Sequence, residues 1–378
     1  MRIVLDGRYI QDHFPGIARY TFNLAFALGE LGLEDDLVVL VDPHAPNHRY
    51  DLDLLRRTRG LRLHEVVASP FSPKGFACLV RNLIRLRPDV YHTPYFFRLP
   101  ILPCASAVTI FDLIAEHRLP EASDGARSWI LRQIFHLANA AAVRSSTRII
   151  VPSTSTFHDV LQRHSASRGK LITIPLAVDP TFRPSTMKEV QFIRARYRLP
   201  DRFILFLGIN KPHKNLEALV RVLADTRLGD VSLVAAGPVD RRYPNARDLA
   251  RAFGVDDRVR PLGDITAGDL SGLYAAAEAL VCPSLDEGFG LTPLEAMACG
   301  TPVICSSRGS LPEVVGDAAM QFDPLEPAQL VHVISQLWGN RSLAERMRSA
   351  GLRRAREHSW HDNAKATLEV YRQAAGQR

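Results

Sequence analysis

The sequence of 378 residues contains no apolar run of the roughly 18 residues that a membrane-spanning helix requires. Its first apolar run, residues 3–5, is also too short for the core of a signal peptide, and it is typical of a first β-strand. We therefore expect neither secretion nor insertion into a membrane, and a cytoplasmic location follows as the prediction.

Cysteine is scarce, and the five cysteines form no C-x-x-C pair. They are Cys78, Cys104, Cys282, Cys299 and Cys305. This scatter argues against a disulfide framework and against a zinc site, and it predicts small buried thiols in a reducing compartment.

Several short motifs are missing as well. No G-x-G-x-x-G follows a strand, which argues against a nicotinamide dinucleotide site, and neither G-x-x-x-x-G-K-[ST] nor H-E-x-x-H occurs. No cluster of acids indicates an obligatory magnesium ion, and no interleaving of basic and aromatic residues indicates nucleic acid. We therefore expect no metal, no cofactor and no nucleic-acid partner.

What the chain does contain is typical of a globular protein: 46% hydrophobic residues, 23% charged residues and a net charge of +7. Short apolar runs typical of buried strands alternate with longer amphipathic stretches typical of helices. The strand-like runs are residues 3–5, 37–41, 90–91, 107–110 and 148–151, and helix-like stretches include 18–29 and 129–142. This alternation predicts an α/β fold with a parallel sheet.

Three prolines follow residues 172–174, and the alternation then begins again. Strand-like runs recur at residues 203–207, 231–235, 280–282 and 302–304, with helix-like stretches at 215–223, 267–276 and 293–298. We predict a domain over residues 1–183, a second domain over 184–358 and a C-terminal helical segment over 359–378. In doubly wound domains, ligands bind at the carboxyl ends of the strands.

The strongest local motif follows the predicted strand at residues 280–282. A glycine-containing loop leads to Pro293, which is well placed to open a helix, so the loop amides form a natural phosphate cradle. Glu287 and Glu295 flank this loop, and carboxylates beside a phosphate are suited to accept hydrogen bonds from the hydroxyls of a ribose or hexose. Alternatively, one glutamate merely complements the helix N-terminus.

Cations follow the predicted strand at residues 203–207, in a short loop that holds Lys211, His213 and Lys214. At the carboxyl end of a strand these side chains are suited to neutralise a diphosphate, although lysines at helix starts are also common on solvated surfaces. A further turn into a helix follows the first strand, where Gly16 permits close approach of a ligand to the backbone.

Residues 74–87 form a basic amphipathic segment, since no acid occurs between Glu65 and Asp89. Such a segment is suited to rest on an anionic membrane surface. The alternative is an ordinary helix with one solvated face.

Residues 287–304 read EGFGLTPLEAMACGTPVI, with the two glutamates spaced as E-x7-E, and GSLPEVVGDAA begins at Gly309. Other segments in matching order are GIARYT from residue 16, DVYHTP from 89, TIFDLI from 109, RIIVPS from 148, IPLAVD from 174 and the terminal Trp360 and Tyr371. Together they resemble the retaining glycosyltransferases of family 4, mannosyltransferase-like members of the GT-B fold. This resemblance implies two Rossmann-like domains facing a central cleft, the first binding the acceptor and the second the nucleotide-sugar donor. It also implies that the C-terminal helix, with Trp360 and Tyr371, crosses back to the first domain.

The resemblance implies roles for particular residues. Glu295 matches an acceptor for the ribose hydroxyls, Glu287 faces the donor sugar, and Lys214 meets the donor diphosphate. The implied donor-binding set is Gly16, Asn210, Lys211, His213, Lys214, Gly288, Phe289, Gly290, Leu291 and Glu295, and the implied catalytic set is Glu287, Lys214 and Asp112.

Two departures from the family pattern stand out. Where an arginine is common, this chain has Ile209 and His213, so Lys211 or a protonated His213 is left to supply the second positive charge. Phe111 occupies the place of a histidine that lines the acceptor side. We name His92, Phe111 and His117, together with Asp112, as the acceptor-side candidates.

We therefore predict a metal-independent transfer of a hexose, with retained anomeric configuration, from a nucleotide diphosphate sugar to a glycan or lipid-linked oligosaccharide. GDP-mannose or a GDP-deoxymannose is the favoured donor and a UDP-hexose the next. The expected setting is assembly of a bacterial surface polysaccharide such as lipopolysaccharide, with peripheral contact at the inner membrane face through residues 74–87. The alternatives are a nucleotide-sugar epimerase, a sugar phosphorylase and a non-catalytic binder of nucleotide sugars.

Overall fold

The computed structural model describes residues 1–13, 15–32, 35–117 and 125–376, and the chain divides into two compact units. Unit 1 consists of Met1–Ala177 and Ser359–Arg378, and unit 2 is Val178–His358. Each unit is built on its own sheet of parallel strands with helices in the connections, which confirms the predicted α/β class.

Seven parallel strands are described in unit 1, in the order β3-β2-β1-β4-β5-β6-β7. They are β1 (Arg2–Asp6), β2 (Asp36–Val41), β3 (Leu61–Glu65), β4 (Val90–Thr93), β5 (Ala105–Thr109), β6 (Arg148–Val151) and β7 (Leu171–Thr173). The helices between them are α1 (Pro15–Glu30), α2 (Leu52–Arg57), α3 (Pro73–Leu86), α4 (Ile114–His117), α5 (Gly125–Ser145) and α6 (Thr154–Arg163). Strand order reverses between β1 and β4, so ligand-binding loops are expected at their carboxyl ends.

A buried ion pair between Arg8 and Asp6 lies at the carboxyl end of β1. Both guanidinium and carboxylate are sequestered from solvent, and Arg8 donates to Asp6 through Nε at 2.8 Å and through a terminal nitrogen at 2.6 Å. The Tyr91 hydroxyl donates to the same carboxylate at 2.6 Å, and the Gly75 carbonyl accepts a further guanidinium hydrogen bond at 3.2 Å. Because each charged group has partners, the pair is tolerated inside the unit.

Unit 2 contains six described parallel strands in the order β10-β9-β8-β11-β12-β13. They are β8 (Ile204–Leu207), β9 (Leu233–Ala236), β10 (Val259–Gly263), β11 (Ala279–Cys282), β12 (Val303–Ser306) and β13 (Met320–Phe322). Its helices are α7 (Met187–Tyr197), α8 (Leu216–Val222), α9 (Ala246–Ala252), α10 (Leu270–Ala276), α11 (Leu291–Ala298), α12 (Leu311–Val315), α13 (Pro327–Leu337) and α14 (Arg341–Arg356). The switch in strand order lies between β8 and β11, whose following loops carry the predicted donor-binding residues.

The last helix, α15 (Trp360–Ala375), belongs to unit 1. It packs against α1 and β5, and its Tyr371 is fully buried. The Asn363 side chain donates to the Pro175 carbonyl at 2.7 Å. Among the described helices, none combines the length and hydropathy needed to cross a membrane.

The boundary between the units lies a few residues before the predicted position. Residues 178–183 belong to unit 2 because the Phe182 ring is buried against the Tyr274 ring, with centroids 5.9 Å apart. The Ser271 hydroxyl also donates to the Thr181 carbonyl at 3.0 Å. Of the three prolines noted in the sequence, Pro175 therefore precedes the boundary, and Pro180 and Pro184 follow it.

The strands absent from the sequence prediction are β3, β7, β10 and β13, and each lies at the edge of its sheet. The interior strands are buried on both faces and read as continuous apolar runs, whereas β3 has the sequence LRLHE and β10 the sequence VRPLG. An edge strand has one neighbour, so polar residues and even proline are accommodated there.

Candidate functional site

The centre of the site in unit 2 is an ion pair between Lys214, in the loop after β8, and Glu287, in the loop after β11. Lys214 Nζ lies 2.6 Å from Glu287 Oε1, and the Ser284 hydroxyl donates to the same oxygen at 2.7 Å. The two side chains are 23% and 14% exposed, so the pair is reachable from solvent but largely desolvated. The sequence predicted both residues for one site, and the structure places them in direct contact.

Backbone hydrogen bonds connect these two loops. The Leu285 amide donates to the His213 carbonyl at 2.7 Å, and the Asn215 side chain donates to the Pro283 carbonyl at 3.1 Å. Asn215 has a left-handed backbone with φ of 56°, which turns the chain from Lys214 into α8. The loop geometry thus fixes the lysine beside the glutamate.

The glycine loop that precedes α11 is held by Ser310. Its hydroxyl oxygen lies 2.8 Å from the Glu287 carbonyl and 2.7 Å from the Phe289 carbonyl. Gly290 has φ of 108°, and a Cβ there would lie 2.8 Å from a methyl of Leu311. The helix begins at Leu291, two residues earlier than the predicted start at Pro293.

Glu295 lies in α11 and is only 3% exposed. The Tyr274 hydroxyl from α10 donates to its Oε2 atom at 2.9 Å. A carboxylate in this position is pre-oriented, and it is suited to accept from hydroxyl groups that reach it.

The structure favours Lys211 over His213 as the second positive charge of this loop, and His213 stays a predicted donor contact. Burial, with a smaller contribution from the neighbouring Lys214, lowers the pKa of His213 to about 4, so the imidazole is neutral at pH 7. Lys211 remains as the predicted second cation of this loop.

Asn210, a predicted donor contact, lines a cavity at the carboxyl ends of β8, β9 and β10 and also holds a neighbouring loop. Its amide nitrogen lies within hydrogen-bond distance of the Asp240, Tyr243 and Pro244 carbonyls, and its Oδ1 accepts from the Asp240 amide at 2.6 Å. These contacts assign Asn210 to holding the loop after β9.

A cavity of about 360 Å³ lies at the carboxyl ends of β8, β9 and β10. Its lining includes Gly208, Gly237, Val239, Arg247 and Leu262. Gly237 has φ of 125°, and a Cβ there would lie 2.4 Å from the Gly208 carbonyl oxygen. The sequence motifs did not predict this cavity. Gly237, which follows β9 in the segment AAGP, was a signal that could have indicated it.

In unit 1 His92 lies in β4 with no exposed surface, and both of its ring nitrogens have partners. Nδ1 lies 2.7 Å from the Tyr371 hydroxyl and Nε2 lies 2.8 Å from Thr109 Oγ1. Burial lowers the pKa of His92 to about 3, so the ring is neutral. Its predicted place on the acceptor side is therefore wrong, because the ring is enclosed in the core of unit 1.

The remaining unit 1 candidates follow β5 or begin α1. Phe111 packs edge-on against the Tyr20 ring, with centroids 5.1 Å apart, and Asp112 accepts the Ile114 amide at 2.9 Å where α4 begins. Gly16 is exposed in the first turn of α1, with open space around its Cα. The His117 side chain lies outside the described residues.

The basic segment 74–87 corresponds largely to α3. Leu79, Leu83 and Leu86 face the core, whereas Lys74, Arg81, Arg85 and Arg87 are exposed. Ile84 is exposed among them. The apolar face is thus already used for packing, and the segment offers a cationic face to a partner.

Comparison with protein families gives two adjacent matches. Residues 15–182 match the family described as Glycosyltransferase Family 4, and residues 189–354 match Glycosyl transferases group 1. Together they cover most of both units.

Similar curated proteins include mannosyltransferases. The chain is 30% identical to the O-antigen chain mannosyltransferase B of Escherichia coli, over 98% of this chain and 100% of that protein. It is 28% identical to the serotype-specific mannosyltransferase WbdA of Escherichia coli, over 63% of this chain but only 30% of WbdA.

Solved structures with the same fold include the sucrose-phosphate synthase of Thermosynechococcus elongatus, with a TM-score of 0.78, 22% identity and full coverage of both chains. WaaG, a glycosyltransferase involved in lipopolysaccharide biosynthesis, gives a TM-score of 0.71 at 15% identity, over 98% of this chain and 99% of that one. At these identities the likeness establishes the GT-B fold.

Proposed function

Because the chain belongs to the group 1 glycosyltransferases of family 4, we propose that it transfers a hexose from a nucleotide diphosphate sugar to an acceptor hydroxyl. The observation that carries the proposal is the contact between Lys214 and Glu287 beside the glycine loop. A cation and a carboxylate in one small site match the two parts of such a donor, an anionic diphosphate and a sugar rich in hydroxyls.

Donor binding would replace the contact between Lys214 and Glu287 with contacts from each side chain to the donor. A diphosphate oxygen accepts from the ammonium of Lys214, and Glu287 then accepts from sugar hydroxyls. The amides of residues 288–291 precede or begin α11 and add donors for phosphate. Such fixed donors stabilise the negative charge that grows on the leaving diphosphate.

The nucleoside would occupy the cavity at the ends of β8, β9 and β10. Its volume of about 360 Å³ is at the lower end of ligand pockets in general. Gly208 lines the cavity and begins the loop that carries Lys214. A nucleoside bound in the cavity would therefore place its diphosphate beside the lysine.

We further propose retention of anomeric configuration without a metal ion. Glu287 is engaged with Lys214 and Ser284, an environment that suits a hydrogen-bond acceptor better than a nucleophile. In the expected reaction the acceptor hydroxyl attacks the anomeric carbon while the bond to the diphosphate breaks, and its proton passes to the leaving phosphate oxygen. Asp112 would hold a hydroxyl of the sugar or acceptor.

The donor that we favour is GDP-mannose or a GDP-deoxymannose, since similar proteins include bacterial mannosyltransferases. A UDP-hexose is the alternative. A glycan or lipid-linked oligosaccharide is the proposed acceptor, in synthesis of a bacterial surface polysaccharide in the cytoplasm. The cationic face of α3 would hold the protein at the inner face of an anionic membrane.

Thermal unfolding of the full chain with GDP-mannose, UDP-glucose, ADP-glucose and TDP-glucose tests donor binding. A ligand of the folded state at 100 times its Kd adds about 2.7 kcal/mol, so the correct nucleotide raises the midpoint visibly. We expect GDP-mannose to give the largest rise, and Lys214→Ala to remove most of it. Arg221→Ala is the matched control, because Arg221 forms an exposed ion pair with Glu217 on α8.

Product analysis then separates the reaction classes. Mass spectrometry of donor and acceptor after incubation should show a glycosylated acceptor and free nucleoside diphosphate. Sugar isomerisation without an acceptor would instead identify an epimerase, and inorganic phosphate acting as the acceptor would identify a phosphorylase. Nucleotide binding without any product would reject transfer.

A further inference from the structure

A separate cluster in unit 1 brings together one carboxylate and two imidazoles from three helices. Glu116 lies in α4, His136 in α5, and His164 directly follows α6. Glu116 Oε2 lies 3.1 Å from His136 Nδ1, and Glu116 Oε1 lies 3.2 Å from His164 Nε2. The two imidazole rings are stacked, with centroids 5.0 Å apart.

The distances between the three side chains leave room for one shared metal ion. One potential ligand atom from each residue lies within 4.8 Å of the other two. Tetrahedral zinc with bonds of about 2.0–2.2 Å places its ligand atoms roughly 3.3–3.5 Å apart. Small rotations of the side chains would therefore bring all three atoms onto one ion.

The surroundings combine a buried carboxylate with an accessible imidazole. The Glu116 side chain is only 2% exposed, and both of its oxygens lie within hydrogen-bond distance of the neighbouring imidazoles. The His136 side chain is 47% exposed, which gives an ion a route from solvent.

Asn139 provides a second observation at the cluster. Its amide nitrogen donates to Glu116 Oε1 at 2.6 Å, and the residue is 1% exposed. Within the described part of the chain, Asn139 Oδ1 is buried without a hydrogen-bond donor. A buried amide that orients a ligand carboxylate is an arrangement found around protein metal ions.

From this geometry we propose that Glu116, His136 and His164 bind a divalent transition-metal ion, with zinc as the preferred class, and that Asn139 orients the carboxylate. Two imidazoles and one carboxylate select zinc, cobalt or nickel over magnesium and calcium. The ion would tie α4 to α5 and to the end of α6, and α4 begins two residues after Asp112. Its role is structural, and the proposal is independent of the transfer reaction.

Calorimetric titration of the tag-free, chelator-treated full chain with zinc chloride at pH 7.5 tests the proposal. We expect binding of a single zinc ion and a higher unfolding midpoint, with magnesium chloride producing neither effect. His136→Ala should raise the zinc Kd at least about tenfold. Loss of a residue that only hydrogen-bonds to a metal ligand already weakens binding by about 10- to 100-fold. His158→Ala is the matched control, because His158 is exposed on α6.

Two further measurements keep the test decisive. Glu116→Gln should also weaken zinc binding. If that variant does not fold, His136→Ala alone decides the test, because the His136 side chain is half exposed and its loss should leave the fold intact. Cobalt should give a visible absorption band that His136→Ala shifts or removes. Zinc uptake that is absent in the natural protein, or unchanged in His136→Ala, would overturn the proposal.

Discussion

The Nζ atom of Lys214 lies 2.6 Å from Oε1 of Glu287, although 73 residues separate the two in the sequence. Ser284 donates to the same carboxylate oxygen, so the glutamate is held by two donors before any ligand arrives. If a diphosphate drew Lys214 away, Glu287 would be able to accept hydrogen bonds from hydroxyl groups in the same site. Under the proposed function, the pair would couple the recognition of phosphate to that of hydroxyl groups.

Replacing either member of the pair should abolish transfer while preserving the fold. For Glu287→Ala and Lys214→Ala we expect kcat/KM to fall at least about 100-fold, as for removal of a group that stabilises transition-state charge. Initial rates with the nucleotide sugar identified by thermal unfolding measure this effect. Removing Arg221, from the exposed pair with Glu217, should leave the rate unchanged. Wild-type turnover in either site variant would reject the assigned roles.

Adding a methyl group at Gly237 should destabilise unit 2 and weaken nucleotide binding. The new Cβ would lie 2.4 Å from the Gly208 carbonyl oxygen, and the residue would have to keep φ at 125°. Overpacking costs about 1–3 kcal/mol and an unfavourable backbone region about 1–2 kcal/mol more. Urea unfolding of Gly237→Ala measures the sum.

Gly268→Ala is the matched substitution for that experiment. It lies in the same unit, and a Cβ there would meet nothing within 4 Å. We expect a change of about 1 kcal/mol or less in either direction. Equal effects at the two glycines would contradict the steric argument.

His92 should make unit 1 less stable in mild acid. Because its pKa is about 3 in the folded chain, the unfolded chain takes up a proton first as the pH falls below about 6.5, the ordinary histidine value. Stability is therefore lost progressively between pH 6.5 and 3, and a single such group accounts for about 2 kcal/mol between pH 7.5 and pH 5.

Denaturant unfolding of His92→Gln at these two pH values checks the sign. The variant should be less stable at pH 7.5 but should lose less stability on acidification. His158→Gln, at an exposed position, should retain the natural pH dependence. An unchanged pH dependence in His92→Gln would show that the folded and unfolded chains protonate this ring at the same pH, which contradicts the lowered pKa.

Membrane contact through α3 should depend on charge. Reversing Arg81 and Arg85 to glutamate removes the cationic face while leaving the buried leucines of that helix in place. We expect sedimentation with phosphatidylglycerol vesicles to be lost, since each basic residue near an anionic surface contributes about 1 kcal/mol. Reversal of Arg346 and Arg353 on α14 serves as the control. Undiminished vesicle binding after the Arg81 and Arg85 changes would contradict membrane contact through α3.

Breaking the buried pair at Asp6 should be costly. Arg8→Met keeps the length of the side chain but leaves the Asp6 carboxylate buried without its cation. Removal of one partner from such a pair typically costs about 3–5 kcal/mol. Chemical denaturation measures the loss, and restoration by the second change Asp6→Asn would confirm that the uncompensated charge causes it.

Much of the fold was readable from sequence because interior strands of parallel sheets are mostly apolar. Edge strands such as β3 escaped prediction, since one open side relaxes that requirement. Lys214 and Glu287 were predicted together because each follows an interior strand, and such strands end at one edge of a sheet. The enclosure of His92 could not be foreseen, because its partner Tyr371 lies 279 residues further along the chain.

The placement of α15 has a consequence for how the protein is made. A ribosome delivers every strand of the seven-stranded sheet before α15, and Tyr371, which covers His92, is made only after all of unit 2. Val178–His358 is contiguous, so this segment can complete its own fold without the rest of the chain. Unit 1 is completed only once α15 has been synthesised, and until then the place that Tyr371 takes against His92 is unfilled.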